Sequence, residues 1–107
     1  MKQITPQQLS EWLADPGRTA PILLDVREPW EFLVCSLADS LHIPMNEIPS
    51  RTAQLDPSAE TIVICHHGGR SRQIAMYLER NGFDRIFNLQ GGVDAWARQV
   101  DAAMPVY

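Results

Sequence analysis

The stretch Thr61-Ile62-Val63-Ile64-Cys65-His66-His67-Gly68-Gly69-Arg70-Ser71-Arg72 decides the fold. Its first four residues are all β-branched, the composition of a strand buried on both faces. Gly68-Gly69 then lets the backbone curl, because glycine accepts positive φ without steric cost. From Ser71 to Arg80, Ile74, Tyr77 and Leu78 fall on one helical face, and Asn81-Gly82 stops that helix. Ser71 is placed to cap it. The unit is therefore strand, tight loop and helix, with a thiol at the carboxyl end of the strand, where open α/β sheets carry their sites.

The same alternation extends in both directions. Thr5-Pro6-Gln7-Gln8 opens a helix with a capping box and proline at its first position, with Ile4 and Leu9 placed for a hydrophobic staple. Asp15-Pro16-Gly17 ends that helix. Pro21 to Val26 reads as a buried strand, Glu28 to Phe32 as a helix start, Ser40 to Pro44 as a short strand, and Asn46 to Leu55 as a poorly specified helix. Downstream, Arg85 to Leu89 is a strand, and Gly91-Gly92 leads into a last helix with Val93, Trp96, Ala97 and Val100 as its stripe. Strand and helix alternate throughout, which predicts an α/β domain built on a mainly parallel sheet covered on both faces.

With 107 residues the chain suits one domain, residues 1–107, and can bury roughly two thirds of its unfolded surface. Apolar residues make up 45% and charged residues 21%, so it falls among ordinary globular proteins. A net charge of −4 argues against a nucleic-acid partner. No apolar run approaches the roughly 20 residues that span a bilayer, so no membrane association is expected. The opening residues hold no secretory h-region, and two cysteines do not make a disulfide framework. The expected home is the reducing cytoplasm, with free thiols.

The thiol loop has a chemistry of its own. Between Thr61 and Ala75 lie His66, His67, Arg70 and Arg72 and no acidic residue, a basic segment inside an acidic chain. A curled glycine loop turns successive N–H groups inward, and the following helix adds the positive end of its dipole. Such surroundings favour a thiolate nucleophile and spread developing charge over amides and Arg70.

Cys65-His66-His67-Gly68-Gly69-Arg70-Ser71 resembles the active-site loop of the rhodanese (sulfurtransferase) family. Leu23-Leu24-Asp25-Val26-Arg27-Glu28-Pro29-Trp30-Glu31-Phe32 is similar to the family's Asp-Val-Arg-Glu signature. Asn88-Leu89-Gln90-Gly91-Gly92-Val93-Asp94-Ala95-Trp96 is similar to its C-terminal signature. The resemblance implies the rhodanese fold, a five-stranded parallel sheet flanked by helices on both faces. It implies that Cys65 carries sulfane sulfur as a persulfide, and that His66, His67, Gly68, Gly69, Arg70 and Ser71 form the substrate-binding loop. Arg70 would hold an anionic donor such as thiosulfate, and Asp25 and Arg27 would be a supporting polar pair. No metal or organic cofactor is implied. The acceptor would be cyanide or a thiol. The run Asp101 to Tyr107 is similar to the tail of rhodanese domains that follow adenylyltransferases handling ubiquitin-like sulfur carriers, which implies a protein sulfur-relay partner.

One segment departs from the pattern. Where the family has Gly-His-Ile-Pro-Gly-Ala, this chain has Cys35-Ser36-Leu37-Ala38-Asp39-Ser40, although Ile43-Pro44 remain. Two other readings stand beside sulfur transfer. A Cys-dependent phosphatase or arsenate reductase needs five residues between Cys and Arg, whereas four lie between Cys65 and Arg70. A non-catalytic binding module would not need the cysteine. Cys35 is either a packed residue or a resolving thiol. His66 and His67, being adjacent, are expected to diverge and share no metal. Trp12, Trp30 and Trp96 are expected in the core.

Overall fold

Ile62 and Ile64 point to one side of a sheet and Val63 to the other, and all three are fully buried. That is why the run is continuously apolar rather than alternating: its strand sits between two neighbours and beneath two helical layers. The computed structural model describes residues 1–107. Its strands are β1 (Lys2–Ile4), β2 (Ile22–Asp25), β3 (Leu41–His42), β4 (Thr61–Ile64) and β5 (Ile86–Leu89). They form one five-stranded sheet in the order β1-β5-β4-β2-β3, with every pairing parallel. In register, β4 places Thr61 beside Ile22 of β2 and Ile86 of β5.

The helices are α1 (Pro6–Ala14), α2 (Pro29–Val34), α3 (Ile48–Arg51), α4 (Gly69–Arg80) and α5 (Gly92–Gln99). On one face of the sheet, Leu9 and Trp12 of α1 and Val93 and Trp96 of α5 pack with Leu23, Ile62 and Ile64. On the other, Ile74 and Leu78 of α4 and Ile48 of α3 pack with Leu24 and Val63. The capping box at Thr5 and Gln8 forms, with Thr5 Oγ1 accepting the Gln8 N–H at 3.1 Å. Ile4 and Leu9 are both buried in the same cluster.

Three expectations change. Residues 2–4, whose Ile4 serves the α1 staple, also form edge strand β1 along β5. The segment from Asn46 to Leu55 is not one helix: Pro49 lacks an N–H to donate, and the chain takes a 3-10 turn at Met45–Glu47, the four residues of α3, and a second 3-10 turn at Thr52–Gln54. Trp30 is 61% exposed on α2, whereas Trp12 and Trp96 are buried. No helix is long and apolar enough to cross a membrane.

Candidate active site

Cys65 follows directly on β4, at the carboxyl end of the central strand, and is 1% exposed. The chain turns at Gly68, whose φ of 101° is left-handed, and a Cβ there would meet the Gly91 nitrogen at 3.3 Å. Three loop carbonyls are taken up by neighbours. Cys65 O accepts the Val93 N–H at 2.9 Å and His66 O the Asp94 N–H at 3.1 Å. Gly68 O accepts the Arg72 N–H and Asn88 Nδ2, both at 3.2 Å. The first two donors are opening amides of α5, so the loop fills orphan positions of that helix. Gly92 makes the approach possible: its φ is 62°, and a Cβ would lie 2.4 Å from both the Cys65 and the His66 carbonyl oxygen.

With the carbonyls so engaged, the Gly68 N–H donates to Cys65 Sγ at 3.0 Å. The N–H groups of His66, His67, Gly69 and Arg70 have no protein acceptor. Those of Gly69 and Arg70 also open α4 and carry the positive end of its dipole. The loop thus gives one N–H to the sulfur and leaves four more amides uncommitted in the same turn, the makings of an anion site.

Behind the sulfur lies a buried polar relay. Cys65 Sγ donates to Ser71 Oγ at 3.2 Å, Ser71 Oγ donates to Asn88 Oδ1, and Asn88 Nδ2 donates to Gln3 Oε1 at 3.1 Å. Ser71 is therefore not the cap of α4. The cap is Gly68, without a side-chain bond, and Ser71 sits fully buried inside the first turn with its hydroxyl on the sulfur.

Beside the loop, two ion pairs are joined through one phenol. Asp25 and Arg27, both fully buried, pair through Nε at 2.9 Å and Nη2 at 2.7 Å. Arg27 also donates to the Cys35 carbonyl at 2.6 Å and to Tyr107 Oη at 2.9 Å. Tyr107 in turn donates to Glu31 Oε2 at 2.7 Å. Glu31 holds Arg70 in a bidentate pair at 2.7 and 2.8 Å, and accepts the Glu28 N–H at 3.1 Å. The Arg70 pair, opposed by burial and helped by Tyr107, holds the Glu31 carboxyl down to about 2. Burial pushes the Tyr107 phenol up to about 12, against the pull of Arg27. Burial works against the Arg27 charge, but Asp25 and Tyr107 outweigh it and its proton is held more tightly.

The loop residues read from the sequence, and Asp25 with Arg27, all converge here. The expected divergence of His66 and His67 does not hold: their rings lie 3.8 Å apart, because His66 is turned to stack on Tyr107 at 3.8 Å and 8°. His66, His67 and Asp94 bring ligand-type atoms within 4.8 Å of one another. Asp94 is already paired with Arg98 at 3.1 Å, and stacking accounts for the His66 ring. His66 Nε2 is buried without a partner, and burial, then His67, keeps the ring's pKa below its ordinary value. Arg70, expected to hold an anionic donor, is paired with Glu31. Three residues of the site escaped the sequence reading as site residues: Glu31, Asn88 and Tyr107. The only signals were a glutamate three residues beyond Asp25-Val26-Arg27-Glu28, an asparagine among apolar strand residues, and a tyrosine in the tail.

Comparison with known proteins bears on the family and the fold. The family model for the rhodanese-like domain matches residues 5–99. A sulfurtransferase of Allochromatium vinosum is 36% identical over 98 residues, covering 92% of this chain and 90% of that protein. Thiosulfate sulfurtransferase GlpE of Actinobacillus pleuropneumoniae is 32% identical over 96 residues, covering 90% and 86%. Rhodanese-like/PpiC domain-containing protein 12 of Arabidopsis thaliana is 35% identical over all of this chain, which spans only 38% of that protein's length. Among solved structures, a rhodanese-like domain protein from Staphylococcus aureus superposes with a TM-score of 0.85 at 29% identity, covering 100% of this chain and 99% of that one. By fold, by loop and by these relationships, the chain belongs to the rhodanese-like sulfurtransferase family.

Proposed function

We propose that this protein moves sulfane sulfur by a two-step exchange on Cys65. The Cys65 thiol first loses its proton to solvent, and the thiolate attacks the outer sulfur of a donor such as thiosulfate. An S–S bond forms, the donor's own S–S bond breaks, and sulfite leaves with the bonding pair. In the second step cyanide or a thiolate attacks the outer sulfur of the Cys65 persulfide. Thiocyanate or a new persulfide leaves, and the Cys65 thiolate returns. The observation that carries this reading is the Gly68 N–H on Cys65 Sγ at 3.0 Å, inside a loop whose His66, His67, Gly69 and Arg70 amides are uncommitted. Those donors stabilise the negative charge of a persulfide's terminal sulfur.

Arg70 binds the donor's anionic end from a position fixed by Glu31, and Ser71 and Asn88 hold the sulfur from behind. The four-residue spacing from Cys65 to Arg70 gives a tighter cradle than a tetrahedral oxyanion requires, which favours sulfur over phosphoryl chemistry. Both thiols are free, which suits a reducing compartment such as the cytoplasm. The second substrate in the cell is a protein sulfur-relay partner or a small thiol. The test is steady-state transfer from thiosulfate to cyanide. Parallel double-reciprocal lines, abolished by Cys65→Ser with the fold intact, are expected. Turnover in the serine variant would overturn the assignment. Arg70→Ala is expected to raise KM for thiosulfate.

A further inference from the structure

The proposed chemistry leaves Tyr107 without a role, although few side chains here are more constrained. Its ring lies parallel to the His66 imidazole at 3.8 Å, and His66 is the residue directly after the nucleophile. It also meets the Trp30 ring in a T-shaped contact at 5.7 Å. Its hydroxyl accepts from Arg27 at 2.9 Å and donates to Glu31 at 2.7 Å, and Glu31 is what holds Arg70. The segment that brings it there is itself anchored: the Asp101 N–H bonds the Trp96 carbonyl at 3.0 Å, and Met104 packs into the α1–α5 cluster. One side chain therefore touches both flanks of the Cys65 loop, the ring of the residue after it and the carboxylate that fixes the cation closing it.

We propose that Tyr107 is a positioning residue for the Cys65 loop, seating the His66 ring by stacking and the Glu31–Arg70 pair by its hydroxyl. The proposal rests on the reading of Cys65 as the reacting thiol. Placement by stacking has a chemical consequence. Under the Tyr107 ring, His66 Nε2 is shut off from water and has no partner. Burial first and then His67 on its own loop disfavour the charged ring, whereas a hydrogen bond to the Tyr107 backbone, Asp94 of α5 and Glu31 of α2 favour it, so the aromatic cover is what the Tyr107 side chain adds. Removing the aromatic cover lets water reach Nε2, and the imidazolium, one residue along from Cys65, becomes accessible near neutral pH. The stacked tyrosine thus disfavours a charged ring on the residue that follows Cys65.

The test compares wild type with Tyr107→Phe, Tyr107→Ala and Tyr107→Leu. The readouts are NMR titration of the His66 ring and of the Glu31 carboxyl, and the pH profile of Cys65 alkylation by iodoacetamide, followed on the Cys65 peptide by mass. In the alanine and leucine variants, the His66 titration moves up by about half a pH unit, and Cys65 alkylates about threefold faster near neutral pH. Tyr107→Phe keeps the ring and restores the wild-type His66 titration, while the Glu31 carboxyl, having lost one donor, titrates higher. If the alanine variant does not fold, the leucine variant, which keeps an apolar contact, replaces it. If neither folds, the Glu31 titration in Tyr107→Phe decides. Unchanged titrations and alkylation profiles, accompanied only by lower stability, would overturn the proposal. None of these readouts requires sulfur transfer, so failure of the sulfurtransferase reading shows separately, as absent turnover in the wild type.

Discussion

Replacing Glu31 by glutamine should cost stability at neutral pH and nothing in strong acid. Glu31 is buried, and its carboxyl is held at about 2 against an ordinary value of 4.5, first by Arg70 and also by Tyr107 and the Glu28 amide. Because the folded value is depressed, the stabilisation is fully present above about pH 4.5 and is lost as pH falls through about 2. Converted at 1.36 kcal/mol per pH unit, the shift corresponds to about 3 kcal/mol. The Arg70 end of the pair is 36% exposed and partly screened, which leaves about 2 kcal/mol. Glutamine matches the volume but loses the charge, and its amide nitrogen cannot accept from Arg70 or Tyr107. Urea unfolding of both proteins at several pH values is the assay. The gap between them should hold near 2 kcal/mol from about pH 7 to about pH 5 and then close as pH falls towards about 2. A gap constant across that range, or a variant as stable as wild type at pH 7, would show that the Glu31–Arg70 pair is not what holds this side of the site.

Gly92→Ala should destabilise the fold by about 3 kcal/mol, from a left-handed backbone and a Cβ driven into two loop carbonyls, and denaturant unfolding measures it. A loss under about 1 kcal/mol would mean that α5 does not clamp the loop as described. Asn88→Ala should quicken Cys65 alkylation, because the Ser71 hydroxyl, which donates to Asn88 Oδ1 in the wild type, is then free to donate to the sulfur. Adding Ser71→Ala to that variant should remove the gain. Equal rates in wild type, the single variant and the double variant would show that the relay behind the sulfur has no bearing on its reactivity.

The parts of the fold legible in the sequence are those whose local pattern matches their tertiary role. β4 is β-branched throughout and apolar from Ile62 to Ile64 because it is central and covered on both faces, and the Thr5–Gln8 capping box is local by construction. β1 was hidden because three residues carry no periodicity, and its pairing with β5 bridges more than eighty positions. The end of β3 and the broken helices of residues 45–54 were blurred by Pro44 and Pro49. In the site, the loop could be read because strand, glycine turn and helix are consecutive. Glu31, Asn88 and Tyr107 could not, since each reaches its partners across long stretches of chain and none belongs to a local motif that states its partner. Trp30 was misplaced because a tryptophan in a helix start carries no sign of which way it faces. Its edge-on contact with Tyr107 brings it beside the site although it is exposed. In the segment that departs from the family pattern, the Cys35 carbonyl and the buried Leu37 side chain still meet Arg27 and the core.

Persulfide formation is the most direct test of the chemistry. The intact protein is incubated with thiosulfate, weighed by mass spectrometry, then treated with cyanide and weighed again, with Cys65→Ser in parallel. The expected result is a gain of one sulfur atom on the Cys65 peptide alone, removed by cyanide and absent from the serine variant. A wild-type protein that gains no sulfur from thiosulfate or from a small persulfide donor, or gains it equally without Cys65, would contradict sulfur carriage by this loop.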